Sequence, residues 1–197
     1  MNVLVVLAAY LIGAIPFSYL VGKCFAEVDV RARGSGNVGA TNVLRTAGVK
    51  CGLLAAALDI AKGIFPAWLG MVQGGVPLAC VCGVVAVIGH CWPVFLKFKG
   101  GKGVATSGGV LIYLVPKAAV FLIILFLVTV AVSRIVSLGS LAAAVINPIM
   151  VAVIYQSWVL VLAGFVLTLI VVYKHRENIE RLRRGQEPRL GRGSLGG

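Results

Sequence analysis

Acidic side chains are scarce in this chain: six Asp and Glu among 197 residues, against eighteen Lys and Arg. That scarcity argues against a carboxylate-rich site for calcium or magnesium. Histidine is scarcer still. His90 and His175 are the two imidazoles, and so the two histidine candidates for general base or metal ligand. The five cysteines (Cys24, Cys51, Cys80, Cys82, Cys91) sit in or beside apolar segments, and no set of four ligands completes a zinc site. They read as buried free thiols, which pack like small hydrophobes. No metal and no cofactor is expected. Charge is thin overall, at 12% of residues, about half the share usual in soluble domains. No charged side chain occurs from Met1 to Gly22, so the basic n-region of a cleavable signal peptide is missing and the stretch is expected to stay as a span.

What the chain has in abundance is apolar sequence, 60% of residues. The apolar runs are continuous rather than alternating, which excludes a membrane barrel and leaves a helical bundle in lipid. A span needs about 20 apolar residues. Asn2 to Gly22, Cys51 to Gln73, Val76 to Leu96, Ile135 to Tyr155 and Trp158 to Tyr173 qualify, and Gly103 to Ser133 is a long run interrupted at Pro116-Lys117. The total is six or seven.

Charge decides between them, because cytoplasmic loops carry the excess of Lys and Arg. With seven spans and the N-terminus outside, Lys23, Arg31, Arg33, Arg45 and Lys50 fall inside. So do Lys97, Lys99 and Lys102, then Arg134, then the basic tail from Lys174 to Arg192, leaving only Lys117 outside. Six spans would put the tail outside. The expectation is therefore an all-α, polytopic membrane bundle of seven helices, N-terminus outside and C-terminus cytoplasmic. It forms one domain over 1–197, with a flexible basic tail over 186–197 and a short fourth span near Gly103 to Val115. The net charge of +12 is read as orientation signal plus attraction to anionic lipid or substrate. No nucleic-acid recognition module is visible.

Three polar segments interrupt the apolar pattern, all on the expected inner face. The first is Gly34-Ser-Gly-Asn-Val-Gly-Ala-Thr-Asn42, followed by Arg45. Its glycines free backbone N–H groups to point at an anion, and a guanidinium suits phosphate. Gly34, Gly36 and Gly39 also match a dinucleotide fingerprint, but a membrane helix stands where that motif requires a strand. The second segment runs from His90-Cys-Trp-Pro93 through Lys97-Phe-Lys-Gly-Gly-Lys-Gly103. It fails as a P-loop, having Leu96 and Gly103 where glycine and a hydroxyl are needed. A glycine-flanked lysine at a helix N-terminus is still a sound phosphate site. The third is Tyr173-Lys-His-Arg-Glu-Asn178 and the charged helix end beyond it, where His175 and Asn178 share a face. Ser137 lies at the fifth–sixth connection, on the same side. Asp59 and Lys62 sit roughly 12–17 Å into the second span. They read either as a functional intramembrane pair or as two charges that neutralise each other and fix packing.

These three blocks, with Gly89-His90 ahead of the second, resemble the cytoplasmic motifs of the bacterial PlsY family, the acyl-phosphate:glycerol-3-phosphate acyltransferases. The resemblance implies a seven-helix enzyme of the bacterial inner membrane, with its site on the cytoplasmic face. It implies transfer of a fatty acyl group from acyl phosphate to the 1-position of glycerol 3-phosphate. That step gives 1-acyl-glycerol 3-phosphate and phosphate and opens phospholipid synthesis. Ser35, Arg45, His175 and His90 are the expected catalytic residues. Gly36, Asn37, Thr41, Asn42, Lys97, Gly101, Lys102, Gly103, Ser137 and Asn178 are the expected substrate contacts, and Glu177 is expected to be structural. Partners are glycerol 3-phosphate, acyl phosphate and membrane lipid, with no nucleic acid. The H-x₄-D acyltransferase signature is absent, since Phe95 follows His90 and Glu180 follows His175 at the fifth position. The proton acceptor is left open between a histidine and the donor's own phosphate, and an acylated Ser35 is a third route. The rival class is a transporter for an anionic solute. It would need polar groups at the midplane and on both faces, and here they gather on one.

Overall fold

The computed structural model describes residues 2–191. Among them the chain is helical, with no strand: α1 (Val3–Ala14), α2 (Phe17–Ala26), α3 (Ala40–Cys91), a 3₁₀ turn (Val94–Leu96), α4 (Val104–Leu114), α5 (Pro116–Ser133), α6 (Val136–Tyr155), α7 (Trp158–Lys174) and α8 (Arg176–Arg183). Helices are the form in which a backbone inside lipid satisfies its own hydrogen bonds. Four stretches are long and apolar enough to cross a bilayer: Val3–Ala26, Ala40–Leu96, Pro116–Ser133 and Val136–Tyr155. The pair α7 and α8, bent by 61°, makes a fifth. The protein is an integral membrane protein.

The interior confirms the solvent. Leu4, Leu7, Ile124, Leu127, Val153 and Leu162 point outward and are exposed, while Ser18, Asn42, Asp59, Lys62, His90, Ser137, Asn147 and Asn178 are buried. A water-soluble domain does not expose apolar surface on that scale.

Breaks fall where local chemistry puts them. The first expected span is two helices, because Pro16 offers no N–H and pushes Ile15 out of the helical region (ψ 119). The third expected span stops at Cys91 rather than Leu96, since Pro93 follows and Trp92 leaves the helical region (φ −134, ψ 66). A straight α3 of 52 residues would be roughly 78 Å long, far beyond a bilayer of about 30 Å. It is not straight. Gly75 takes φ 67, open to glycine at little cost, and Gly48 takes φ 86. The chain doubles back at both. A side chain on Gly70 would lie 2.7 Å from the Ala79 Cα, and one on Gly52 would lie 2.6 Å from the Leu44 Cβ. Residues 40–47, 49–73 and 76–91 are thus three separate helical arms.

Close glycine contacts hold the arms to their neighbours, as is usual between membrane helices. Carbon placed on Gly63 would sit 2.1 Å from the Thr106 carbonyl oxygen, and on Gly13 2.1 Å from that of Ala86. Polar bonds add to this between α6 and α7, where Asn147 Nδ2 donates to the Gly164 carbonyl (3.0 Å) and Thr168 to that of Ala144 (2.6 Å). The cysteines are all free. Cys80, Cys82 and Cys91 are buried as expected, whereas Cys24 is exposed at the end of α2.

The start of the basic tail is tied down. Leu190 N–H donates to the Arg134 carbonyl (2.7 Å), and Glu187 is bonded to three side chains. The remainder of the expected flexible tail, 192–197, lies outside the described residues.

Candidate active site

The first polar segment is a loop shaped by one side chain from the opening turn of α3. Asn42 is 2% exposed. Its Oδ1 accepts the Ser35 N–H (2.9 Å), and its Nδ2 donates to the carbonyls of Val30 (2.7 Å) and Arg33 (3.1 Å). The expectation that Asn42 touches substrate is therefore corrected: its amide is fully engaged in folding the loop. Gly34 must be glycine twice over, with φ +61 and a β-carbon position 2.3 Å from Asn42 Oδ1. Ser35 and Gly36 are left exposed on the loop's outer side, Asn37, Thr41 and Arg45 half-buried beneath. Among the described residues no side chain takes up Arg45's donors, which leaves its fork available to an anion.

The second segment meets the first. Gly101 is wedged between them, since a β-carbon there would be 2.2 Å from His90 Nε2 and 2.5 Å from the Val38 carbonyl oxygen. Gly103, at φ 82, opens α4, whose first-turn N–H groups lack helical acceptors and make an anion-seeking end. Lys102 lies just before that end and donates through Nζ to Asn178 Oδ1. Burial pushes the lysine down to about 8, partly offset by Glu187. Lys97 and Lys99 lie on the exposed turn before the glycines, away from these contacts, so Lys97 does not join the cluster.

The third segment closes the site from the other side. His175 stands at the bend between α7 and α8, 3% exposed. Its Nδ1 lies 2.7 Å from the Val171 carbonyl, which fixes the proton on Nδ1 and leaves a lone pair on Nε2. Burial drives this imidazole down to about 4; the Val171 bond opposes that and the Lys102 charge adds to it. It is neutral at pH 7. Asn178 joins Lys102 to Glu187, donating to Oε1 (2.6 Å), and Ser137 donates to the same oxygen (2.7 Å) while Arg181 Nε donates to Oε2 (2.7 Å). Burial would raise the Glu187 carboxyl, but these three donors outweigh it and hold it below the ordinary range.

Two expectations change here. Ser137 is buried, with its hydroxyl given to Glu187. The glutamate bonded into the fold is Glu187, not Glu177, whose side chain is 75% exposed and, among the described residues, reaches only Arg176, at 3.9 Å. Sequence reading missed Glu187 because it sits in a stretch rich in glycine and arginine. Its signal was a lone acid just after a basic helix. Lys174 was also missed: its Nζ donates to the Cys91 carbonyl (3.1 Å) and lies 5.0 Å from the Trp92 ring, tying α7 to the second loop. His90 faces inward. It is 6% exposed, with Nδ1 3.7 Å from Asp59 Oδ1 and Nε2 under Gly101, so it offers no free nitrogen to a substrate.

Arg45, Lys102, glycine-borne N–H groups and the α4 N-terminus thus converge between three loops of a lipid-embedded bundle. That is the build of a membrane enzyme handling phosphorylated substrates. The glycerol-3-phosphate acyltransferase family model matches residues 3–185. Relatives described as glycerol-3-phosphate acyltransferase include one from Syntrophomonas wolfei, 47% identical over 92% of this chain and 93% of its own. One from Moorella thermoacetica is 44% identical over 97% and 98%. The crystal structure of PlsY, an integral membrane glycerol 3-phosphate acyltransferase, in its glycerol 3-phosphate form superposes with a TM-score of 0.92 at 39% identity, covering 96% of this chain and 95% of that one. The chain belongs to the glycerol-3-phosphate acyltransferase family and is an acyltransferase of phospholipid biosynthesis.

Proposed function

We propose that the protein transfers a fatty acyl group from acyl phosphate to the 1-hydroxyl of glycerol 3-phosphate, releasing 1-acyl-glycerol 3-phosphate and inorganic phosphate. One observation carries this reading: the half-buried Lys102 ammonium, anchored on Asn178 at the open N-terminus of α4, with Arg45 within electrostatic reach. Both substrates are phosphates, and both need such a cradle. In the step, the hydroxyl oxygen attacks the acyl carbonyl carbon. The ester bond forms, the bond from that carbon to the phosphate oxygen breaks, and the departing phosphate takes the hydroxyl proton. Arg45, Lys102 and the loop N–H groups hold the phosphates and steady the charge that builds up. Ser35, on the outer side of the loop, offers its hydroxyl as a substrate hydrogen bond. A histidine held near 4 is a poor proton acceptor at pH 7, so His175 is assigned to binding through Nε2.

The test is a product assay. Purified protein with acyl phosphate and labelled glycerol 3-phosphate should yield lysophosphatidate and phosphate in equal amounts. No product from a folded sample rejects the reading.

The titration of Lys102 gives a second expected result. Lysine binds phosphate as the cation, and this one loses its proton near 8 instead of near 10.5. The KM for glycerol 3-phosphate should therefore be flat between pH 7 and 7.5 and rise as pH passes through about 8. Lys102→Arg should move that rise out of range. An unchanged KM up to pH 9.5 would count against Lys102 as a phosphate ligand.

We also assign the chain seven crossings, with the N-terminus outside and the site on the cytoplasmic face of a bacterial inner membrane. To the four long stretches and α7, the reversal at Gly74-Gly75 adds one crossing and α4, ending at the break at Val115, adds another. In a Cys24→Ser background, Lys117→Cys should react with an impermeant thiol reagent from outside intact cells, and Lys99→Cys only after lysis. The reverse pattern overturns the orientation.

A further inference from the structure

Beneath the phosphate loops lies a second polar cluster that the chemistry above does not use. Lys62 Nζ and Asp59 Oδ1 are 2.9 Å apart, with side chains 2% and 1% exposed. Ser18 on α2 donates to Asp59 Oδ2 (2.7 Å). Lys62 also donates to the Ile15 carbonyl (2.7 Å), at the break that Pro16 opens between α1 and α2. His90 Nδ1 faces Asp59 Oδ1 at 3.7 Å, too far for a direct hydrogen bond. Both atoms are buried, and neither completes a hydrogen bond of good geometry within the protein. Asp59 and His90 both line a cavity of about 10 Å³, with Ser18, Lys62, Val38 and Gly101 among its other walls, about the room one water needs.

The cluster points at the active site through one ring. The opposite edge of His90 carries the glycine loop: Gly101 rests on Nε2, Gly100 packs on the His90 carbonyl, and Gly101 N–H donates to that carbonyl (3.2 Å). Lys102 is the next residue. The imidazole therefore sits one residue from the lysine, under the junction where the two loops meet at Val38.

We propose that Ser18, Asp59, Lys62 and His90, completed by one water bridging Asp59 Oδ1 and His90 Nδ1, are positioning residues that set the placement of Lys102. The buried ion pair is not needed for stability as such, because a well-packed apolar pair of similar volume does as well or better. What the charges add is direction, a fixed acceptor aimed at one face of the His90 ring. The inference rests on the reading of Lys102 as a phosphate ligand.

The test removes both charges together, so that no unpaired charge stays buried. Asp59→Asn/Lys62→Met is expected to purify folded, with its melting temperature near the parent's. Its KM for glycerol 3-phosphate should rise at least about tenfold, while kcat changes less, since a displaced cation weakens binding first. His90→Asn, whose amide can still meet the water but which lacks the ring edge under Gly101, should retain more of the parent's kcat/KM than His90→Leu, which loses both. Where the double variant does not fold, Ser18→Ala, which keeps both charges, should show the same KM rise at smaller size. Parental KM in the folded double variant overturns the proposal. So does parental KM in both Ser18→Ala and His90→Leu, or loss of every variant to unfolding, which would make the cluster a stability element alone. If Lys102→Ala itself leaves KM unchanged, the phosphate-site reading fails instead.

Discussion

Replacing Lys102 by alanine is expected to lower kcat/KM for glycerol 3-phosphate by about 10³-fold, the size seen when a preorganised stabilising group is removed from a water-poor site. The argument begins with what holds the ammonium. Its stem is buried and its head is fixed by Asn178, which Glu187 holds in turn. A lysine so placed needs little ordering when phosphate arrives. Its attraction is also screened less than that of an exposed lysine. The truncated variant loses the charge and also leaves Asn178 Oδ1 without its donor. Lys102→Arg keeps the charge but not the compact point contact, and should recover only part of the rate. Lys97→Ala, on the exposed turn, should change kcat/KM by less than about threefold, as expected for a surface charge. Steady-state kinetics on the three variants in the same lipid nanodiscs separate these outcomes. A Lys102→Ala enzyme within tenfold of the parent would remove the residue from the site.

The bundle was legible where the signal is local. Apolar run length marked the arms, the spans were separated at Gly74-Gly75 where the backbone reverses, and the interruption at Pro116 is one the backbone obeys, whereas the break before Pro93 was read through. The three polar segments were legible too, because glycine, hydroxyl and cation at close spacing stand out from apolar sequence, and Lys102 of the second does bond Asn178 of the third. What was not legible depends on partners far apart in the chain. Asn42 looks like a ligand until its amide is seen bonded to residues 7 to 12 positions back. Glu187 gains its role from Ser137, 50 positions away. His90 carries the residue type of a base, and its direction is settled by Asp59 on one side and Gly101 on the other. Spacing reports which residues share a helix face. It says nothing about which neighbour has already claimed their polar atoms.

Offering the enzyme acyl-CoA in place of acyl phosphate is expected to lower the rate by more than about 10⁴-fold. That bound combines the loss of a general base, about 10²–10⁴-fold, with the loss of anchoring charge at the reacting centre. The site supplies cations and N–H donors in quantity but no competent proton acceptor. His175 is held near 4 by burial, His90 faces into the bundle, and Glu187 is engaged by three donors. The attacking hydroxyl must still lose a proton. In acyl phosphate the phosphate is bonded to the reacting carbonyl carbon, so it can be anchored by Arg45 and Lys102 and accept that proton as it leaves. A thioester brings no such oxygen near the carbonyl, and its own phosphates lie far along the carrier. The same logic sets the outcome for His175→Ala. It should lose activity through weaker binding but fall less than about 10⁴-fold in kcat, and the kcat–pH profile should lack a limb belonging to an imidazole. Comparable turnover with acyl-CoA, or a kcat loss beyond that bound in His175→Ala, would return the proton to a side chain of the protein.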